Sequence, residues 1–159
     1  MKCFKNVAVM LLFSIVSVHV FSQVKPLDAM LSNYQYPYEV YFKDLKSQNQ
    51  TLKMAYMDVK PKEANGKSVI LLHGKNFTGA YWEQTANELA KRGYRVIIPD
   101  QIGFGKSSKP EFYEYSLQQL AYNTKSLLDS LNIKQANIIG HSMGGMIAMR
   151  FTLMYPEYV

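Results

Sequence analysis

Three short runs of consecutive apolar residues organise the middle of the chain: Val69-Ile70-Leu71-Leu72, Val96-Ile97-Ile98 and Ile138-Ile139. Runs of this length with no polar alternation predict strands buried on both faces, as in a parallel sheet. Between them the apolar positions change to helical spacing. Trp82, Ala86, Leu89 and Ala90 form one stripe, with Thr78 placed as a cap and Gly93 as a stop. Leu117, Leu120, Ala121, Thr124, Leu127, Leu128 and Leu131 form a longer one, preceded by a Ser116/Gln119 capping box. Ile147, Ala148, Phe151 and Met154 line a third helix that runs until Pro156. Upstream, Tyr38 to Asp44 and Leu52 to Asp58 carry β-favouring residues around the polar turn Ser47-Gln48-Asn49-Gln50, which predicts an antiparallel hairpin. The expected fold is therefore α/β, a hairpin leading into a mostly parallel sheet with helices on both faces.

Residues 1 to 22 do not belong to that pattern. Lys2 and Lys5 precede an apolar run from Val7 to Val18, and Val20 and Ser22 stand at −3 and −1 before Gln23. A basic start, a short apolar run and tolerated cleavage residues predict a secretory signal peptide. The competing reading, an uncleaved membrane anchor, is disfavoured because Ser14, Ser17 and His19 interrupt a run already short for a bilayer. The expected organisation is a signal at 1–22, a linker at 23–35 and a partial domain at 36–159. The product is expected to be exported, periplasmic or secreted, with no membrane contact after cleavage.

Composition narrows the chemistry. The 159 residues are 48% hydrophobic, and the formal charge of +6 falls to +4 once Lys2 and Lys5 leave with the signal. The remaining basic residues are scattered, with no cluster beyond Lys91-Arg92, so they read as a solvated surface and nucleic acid is not an expected partner. The single cysteine, Cys3, falls in the signal, which excludes a disulfide framework or thiol nucleophile in the mature chain. His19, His73 and His141 make no metal-ligand spacing. Two nucleotide readings fail on spacing as well. Gly105-Lys106-Ser107 lacks the phosphate-loop glycine, since Asp100 stands there, and Gly103-Phe104-Gly105 lacks a third glycine at Ser108. No cofactor is expected. The tyrosines at 34, 36, 38 and 41 read as strand packing more than as a binding platform.

The chemistry gathers after the third strand. Gly140-His141-Ser142-Met143-Gly144 is a Gly-x-Ser-x-Gly set between a buried strand and a helix, where the turn must be so sharp that only glycine fits two residues to either side. Together with His73-Gly74-Lys75-Asn76 after the first apolar strand and Asp100-Gln101-Ile102-Gly103-Phe104-Gly105-Lys106-Ser107-Ser108-Lys109-Pro110 after the second, it resembles the first half of an α/β-hydrolase fold over about residues 36 to 159. The resemblance implies Ser142 as nucleophile. It implies the backbone N–H groups of Met143 and Lys75 as oxyanion donors, each worth about 2.7 to 4 kcal/mol of barrier in a comparable site. Asn76 stands where many relatives have proline, so its N–H is an additional contact for a small-molecule substrate. His73 and His141 are implied to be loop residues, and Asp100 to organise its loop.

A working triad of this type needs an acid and then a histidine after the serine, yet no histidine follows Ser142 and the only later acid is Glu157. The chain is therefore expected to be an incomplete α/β-hydrolase fold, truncated before its acid and base and inactive alone. Its last strand should leave an apolar edge through which copies self-associate. Three functions remain open: the nucleophile half of a serine hydrolase acting on an ester through an acyl-enzyme, a non-catalytic remnant, or a carbon-carbon hydrolase or perhydrolase on the same fold. Dehalogenase and epoxide-hydrolase chemistry would call for Asp at 142.

Overall fold

The computed structural model describes residues 26–159, so the expected signal peptide lies outside the described residues. Five strands, β1 (Val40–Ser47), β2 (Gln50–Val59), β3 (Ser68–Leu72), β4 (Arg95–Pro99) and β5 (Asn137–Gly140), form one sheet in the order β1-β2-β4-β3-β5. Three helices connect and cover them: α1 (Glu83–Lys91), α2 (Leu117–Ser130) and α3 (Met143–Met154). The hairpin is longer than the sequence pattern suggests, because Gln48 and Asn49 alone make the turn. Both adopt positive φ, 49° and 58°, which matches the twist of the flanking strands and lets pairing run up to Ser47↔Gln50. β2 joins β4 antiparallel, whereas β3 lies parallel to both β4 and β5.

The wholly apolar runs are explained by a core on each side of the sheet. Val69 and Leu71 of β3, with Val96 and Ile98 of β4, face Ala86 of α1. Their neighbours Ile70, Leu72 and Ile97 face Leu120, Leu127 and Leu128 of α2 and Ile147 and Phe151 of α3. Alternate side chains point to opposite faces, so covering both faces makes every position apolar. Each fully buried Ile or Leu contributes roughly 1.5–3 kcal/mol relative to exposure.

Two expectations are corrected in the last third. The strand at 137–140 is not buried on both faces: β5 lies at the sheet edge, and Ile139 is 39% exposed. Of the α3 stripe, Ile147 and Phe151 are buried but Met154 is exposed, and beside it Met149 and Leu153 also face solvent. Among the described residues no strand covers the outer side of β5. The helix starts differ slightly too. Thr78 caps a single 3-10 turn, Gly79–Trp82, before α1 begins. Ser116 accepts the N–H of Gln119 as a cap, yet the Gln119 side chain bonds Asn123, so only half of the capping box forms. Among the described residues no helix is long and apolar enough to cross a membrane.

Candidate active site

The register of the parallel strands places the motifs side by side. Leu72 pairs with Gly140, so β3 and β5 end together and release His73-Gly74 and His141-Ser142 at the same carboxyl edge. Clefts of open α/β sheets form at that edge. His141 N–H bonds the Leu72 carbonyl, tying the two exits. A Cβ on Gly74 would lie 3.3 Å from Ser142 Cβ, which measures how closely the loops meet.

Ser142 occupies a strained backbone conformation, φ 54° and ψ −117°. Such a conformation costs a residue with a Cβ about 1–3 kcal/mol and persists only where packing imposes it. The packing is visible in the two glycines. A Cβ on Gly140 would fall 2.2 Å from the Gly144 carbonyl oxygen, and one on Gly144 would fall 2.1 Å from that of Leu72. α3 is thereby pressed against the strand ends, and the turn has nowhere to relax. The Ser142 carbonyl accepts from Gly145 and Met146, but its side chain makes no cap bond to the helix, and the residue is exposed.

Among the described residues the N–H groups of Met143 and Lys75 take part in no backbone hydrogen bond. Met143 opens α3, where the first N–H groups have no intrahelical partner and carry the positive end of the helix dipole. Asn76 has φ 65° and is exposed beside Lys75, in a turn closed by Phe77 N–H on the Gly74 carbonyl.

Both described histidines are engaged away from the serine hydroxyl. His73 is fully buried; its Nε2 accepts the Gln101 N–H at 2.9 Å, so Nδ1 carries the proton and donates it to the Gly74 carbonyl at 2.8 Å. Burial pushes this imidazole below its ordinary range, against the opposing pull of the Gly74 carbonyl and the Asp100 charge. It is a neutral brace between two loops. His141 is exposed, packs edge-on to Phe77 and Tyr81, and turns Nδ1 toward the Tyr81 hydroxyl at 3.4 Å.

Asp100 is the hub of the neighbouring loop. Its buried carboxylate accepts the Gly79 N–H at 2.6 Å, the Lys106 N–H at 2.8 Å and the Tyr36 hydroxyl at 2.6 Å. Three segments distant in sequence converge on one side chain. Burial, reinforced by the Asp100 charge, raises the Tyr36 phenol far above its ordinary range, so Tyr36 remains a donor. The Gly-rich stretch after Asp100 is equally committed: Ser107 Oγ donates to the Asp100 carbonyl and accepts the Ala55 N–H, while Ser108 Oγ accepts from Lys53 N–H. Sequence reasoning missed the tie between Tyr36 and Asp100, and no local signal marks it. Of the N-terminal tyrosines, Tyr36 and Tyr38 pack on the α1 side of the sheet.

Residues 67–159 match the family model described as alpha/beta hydrolase fold. The chain belongs to the α/β-hydrolase fold family. Its fold superposes on the crystal structure of a probable hydrolytic enzyme from Pseudomonas aeruginosa PAO1 with a TM-score of 0.82 and 53% identity, over 84% of this chain and 43% of that one. A carboxylesterase structure from the thaumarchaeon Nitrososphaera gargenis follows at a TM-score of 0.67 and 28% identity, over 75% and 42%. In sequence, this α/β-hydrolase-fold chain is 38% identical over 96 residues to bifunctional epoxide hydrolase 2 of Sus scrofa, covering 60% of this chain and 17% of that protein. The chain thus spans less than half the length of each of these relatives. Among the described residues no group of acidic, His or Cys side chains is arranged to hold a metal ion.

Proposed function

We propose that this chain supplies the nucleophile and oxyanion half of a serine hydrolase that cleaves an ester or related acyl bond. The observation that carries this reading is Ser142 itself: strained backbone, exposed, its side chain unused as a helix cap, beside two N–H groups with no backbone partner. Ser142 Oγ would bond the acyl carbon as its proton passes to a base, and the carbonyl electron pair would move onto the oxygen facing Met143 and Lys75 N–H. Collapse of that intermediate breaks the bond to the leaving alcohol, which takes up the proton, and water then releases the acid. The base comes from outside the described residues, since His73 is braced between two loops and His141 is turned toward Tyr81. By itself the 159-residue chain should turn over negligibly.

The relatives' names favour hydrolysis, and the side chain at 142 selects among them. An epoxide hydrolase mechanism wants a carboxylate nucleophile there, whereas a hydroxyl yields an acyl ester. Export is part of the proposal and rests on the signal-like first 22 residues; a mature N-terminus at or near Gln23, read by N-terminal sequencing, is the expected result.

The chemistry is tested on the chain as it stands by supplying the missing base. With imidazole added, a fluorophosphonate should label Ser142 at least about tenfold faster than any other serine, read by peptide mass spectrometry, and Ser142→Ala should abolish that adduct. Labelling spread over surface serines, or unchanged in Ser142→Ala, would overturn the assignment.

A further inference from the structure

Beside the loop that carries Lys75 lies a cleft of about 260 Å3 lined by Leu27, Leu31, Tyr34, Asn76, Phe77 and Tyr81, with Thr78 and Ala80 completing it. Its two walls come from segments far apart in the sequence. One wall is the strand exit at Asn76 to Tyr81; the other is the N-terminal segment from Leu27 to Tyr34. That segment is shaped and anchored. Asp28 Oδ1 accepts the N–H groups of Met30 and Ser32, and its carbonyl accepts that of Leu31, forming a compact turn. Tyr34 N–H bonds the Leu31 carbonyl, Tyr34 packs edge-on to Tyr36 with ring centroids 5.8 Å apart, and Tyr36 is tied to Asp100.

We propose that this cleft is a specificity subsite that receives a neutral apolar substituent of the substrate, with residues 27–34 as its outer wall. The proposal deepens the hydrolase reading and rests on it for the identity of the reacting group. Three observations argue for this occupant. No charged side chain lines the cleft, so a carboxylate or ammonium group would give up part of its hydration there without gaining an oppositely charged partner. Asn76, which directly follows the oxyanion residue Lys75, lines it, and Phe77 and Tyr81 reach from its wall to His141, the neighbour of Ser142. A substrate whose carbonyl oxygen rests on Lys75 N–H therefore has the cleft within reach of its substituent. The size is also informative: a cavity of about 150 Å3 holds a benzene ring, so this cleft suits a phenyl group with one or two methylenes, or a short alkyl chain.

Trp82, the single tryptophan of the chain, stacks on Tyr81 with ring centroids 4.8 Å apart and so reports on occupancy. The probe is phenylacetone, a neutral ketone that cannot be hydrolysed, titrated into the 159-residue chain. The expected result is saturable quenching of Trp82 fluorescence. Leu27→Asp, at a position already half exposed, should weaken that binding at least about tenfold, and Leu27→Ala should weaken it in the same direction. Met149→Asp, on the exposed face of α3 away from the cleft, should leave it unchanged at an unaltered urea midpoint. Absence of saturable quenching, or quenching indifferent to both Leu27 variants, would overturn the subsite. Because the ketone needs no nucleophile, a failure of Ser142 labelling leaves this readout intact and is distinguished from a failure of the cleft.

Discussion

Replacing Asp100 by Asn changes one buried atom and should cost far more than its size suggests. Gly79 N–H keeps its acceptor at Oδ1, but an NH2 group now stands where Oδ2 accepted from both Tyr36 and Lys106. The tyrosine hydroxyl can rotate and accept from the new amide; the Lys106 N–H is fixed and loses its partner. An orphaned buried donor costs about 1–3 kcal/mol, and the bonds that remain lose the strength that an ionised acceptor lent them, about 1 kcal/mol each. Removing a buried charge recovers part of its desolvation cost, which leaves a net destabilisation of about 2–4 kcal/mol. Tyr36→Phe alone should cost about 1–2 kcal/mol, because the carboxylate keeps two donors. Urea unfolding followed by Trp82 fluorescence measures all three variants. In the double-mutant cycle the Tyr36→Phe effect should shrink by at least about 1 kcal/mol in the Asn background, since the bond it deletes is already weakened. An Asp100→Asn protein within about 0.5 kcal/mol of the parent, as surface changes usually are, would refute the hub. So would equal Tyr36→Phe effects in the two backgrounds.

The strain at Ser142 predicts that Ser142→Gly, which tolerates φ 54°, will be more stable than Ser142→Ala by about 1 kcal/mol in urea unfolding, although neither should be labelled by a fluorophosphonate. His73 predicts acid sensitivity. Its folded pKa is depressed by burial, so below the unfolded value near 6.5 the unfolded chain binds the proton that the folded one refuses. Stability should therefore hold at neutral pH and fall as pH drops below about 6.5, with a limiting slope of about 1.4 kcal/mol per pH unit from this residue. In His73→Gln that part of the slope should vanish; an unchanged profile from pH 7 to 5 would mean that the imidazole titrates normally.

Much of the fold is legible in the sequence because local pattern and global burial agree. Val69 to Leu72 and Val96 to Ile98 are apolar at every position because each face of the sheet meets a helix, and the helical stripes name their own buried faces. The Gly-x-Ser-x-Gly spacing is legible for a steric reason: Gly140 and Gly144 are the two points where backbone meets backbone. What the periodicity misread is the burial of Ile139 and Met154. Both are as apolar as the residues of β3, but apolarity records what a position favours: the unpaired edge expected of the last strand leaves Ile139 part exposed, and Met154 at the end of α3 faces solvent as well. The tertiary structure also decided how the site is held. Tyr36 and Asp100 are 64 positions apart, the turn at Asp28 is likewise far in sequence from the aromatic wall at Phe77, and no period or local motif relates them. Contacts of that kind follow from which strands become neighbours, and that is settled by packing the whole chain.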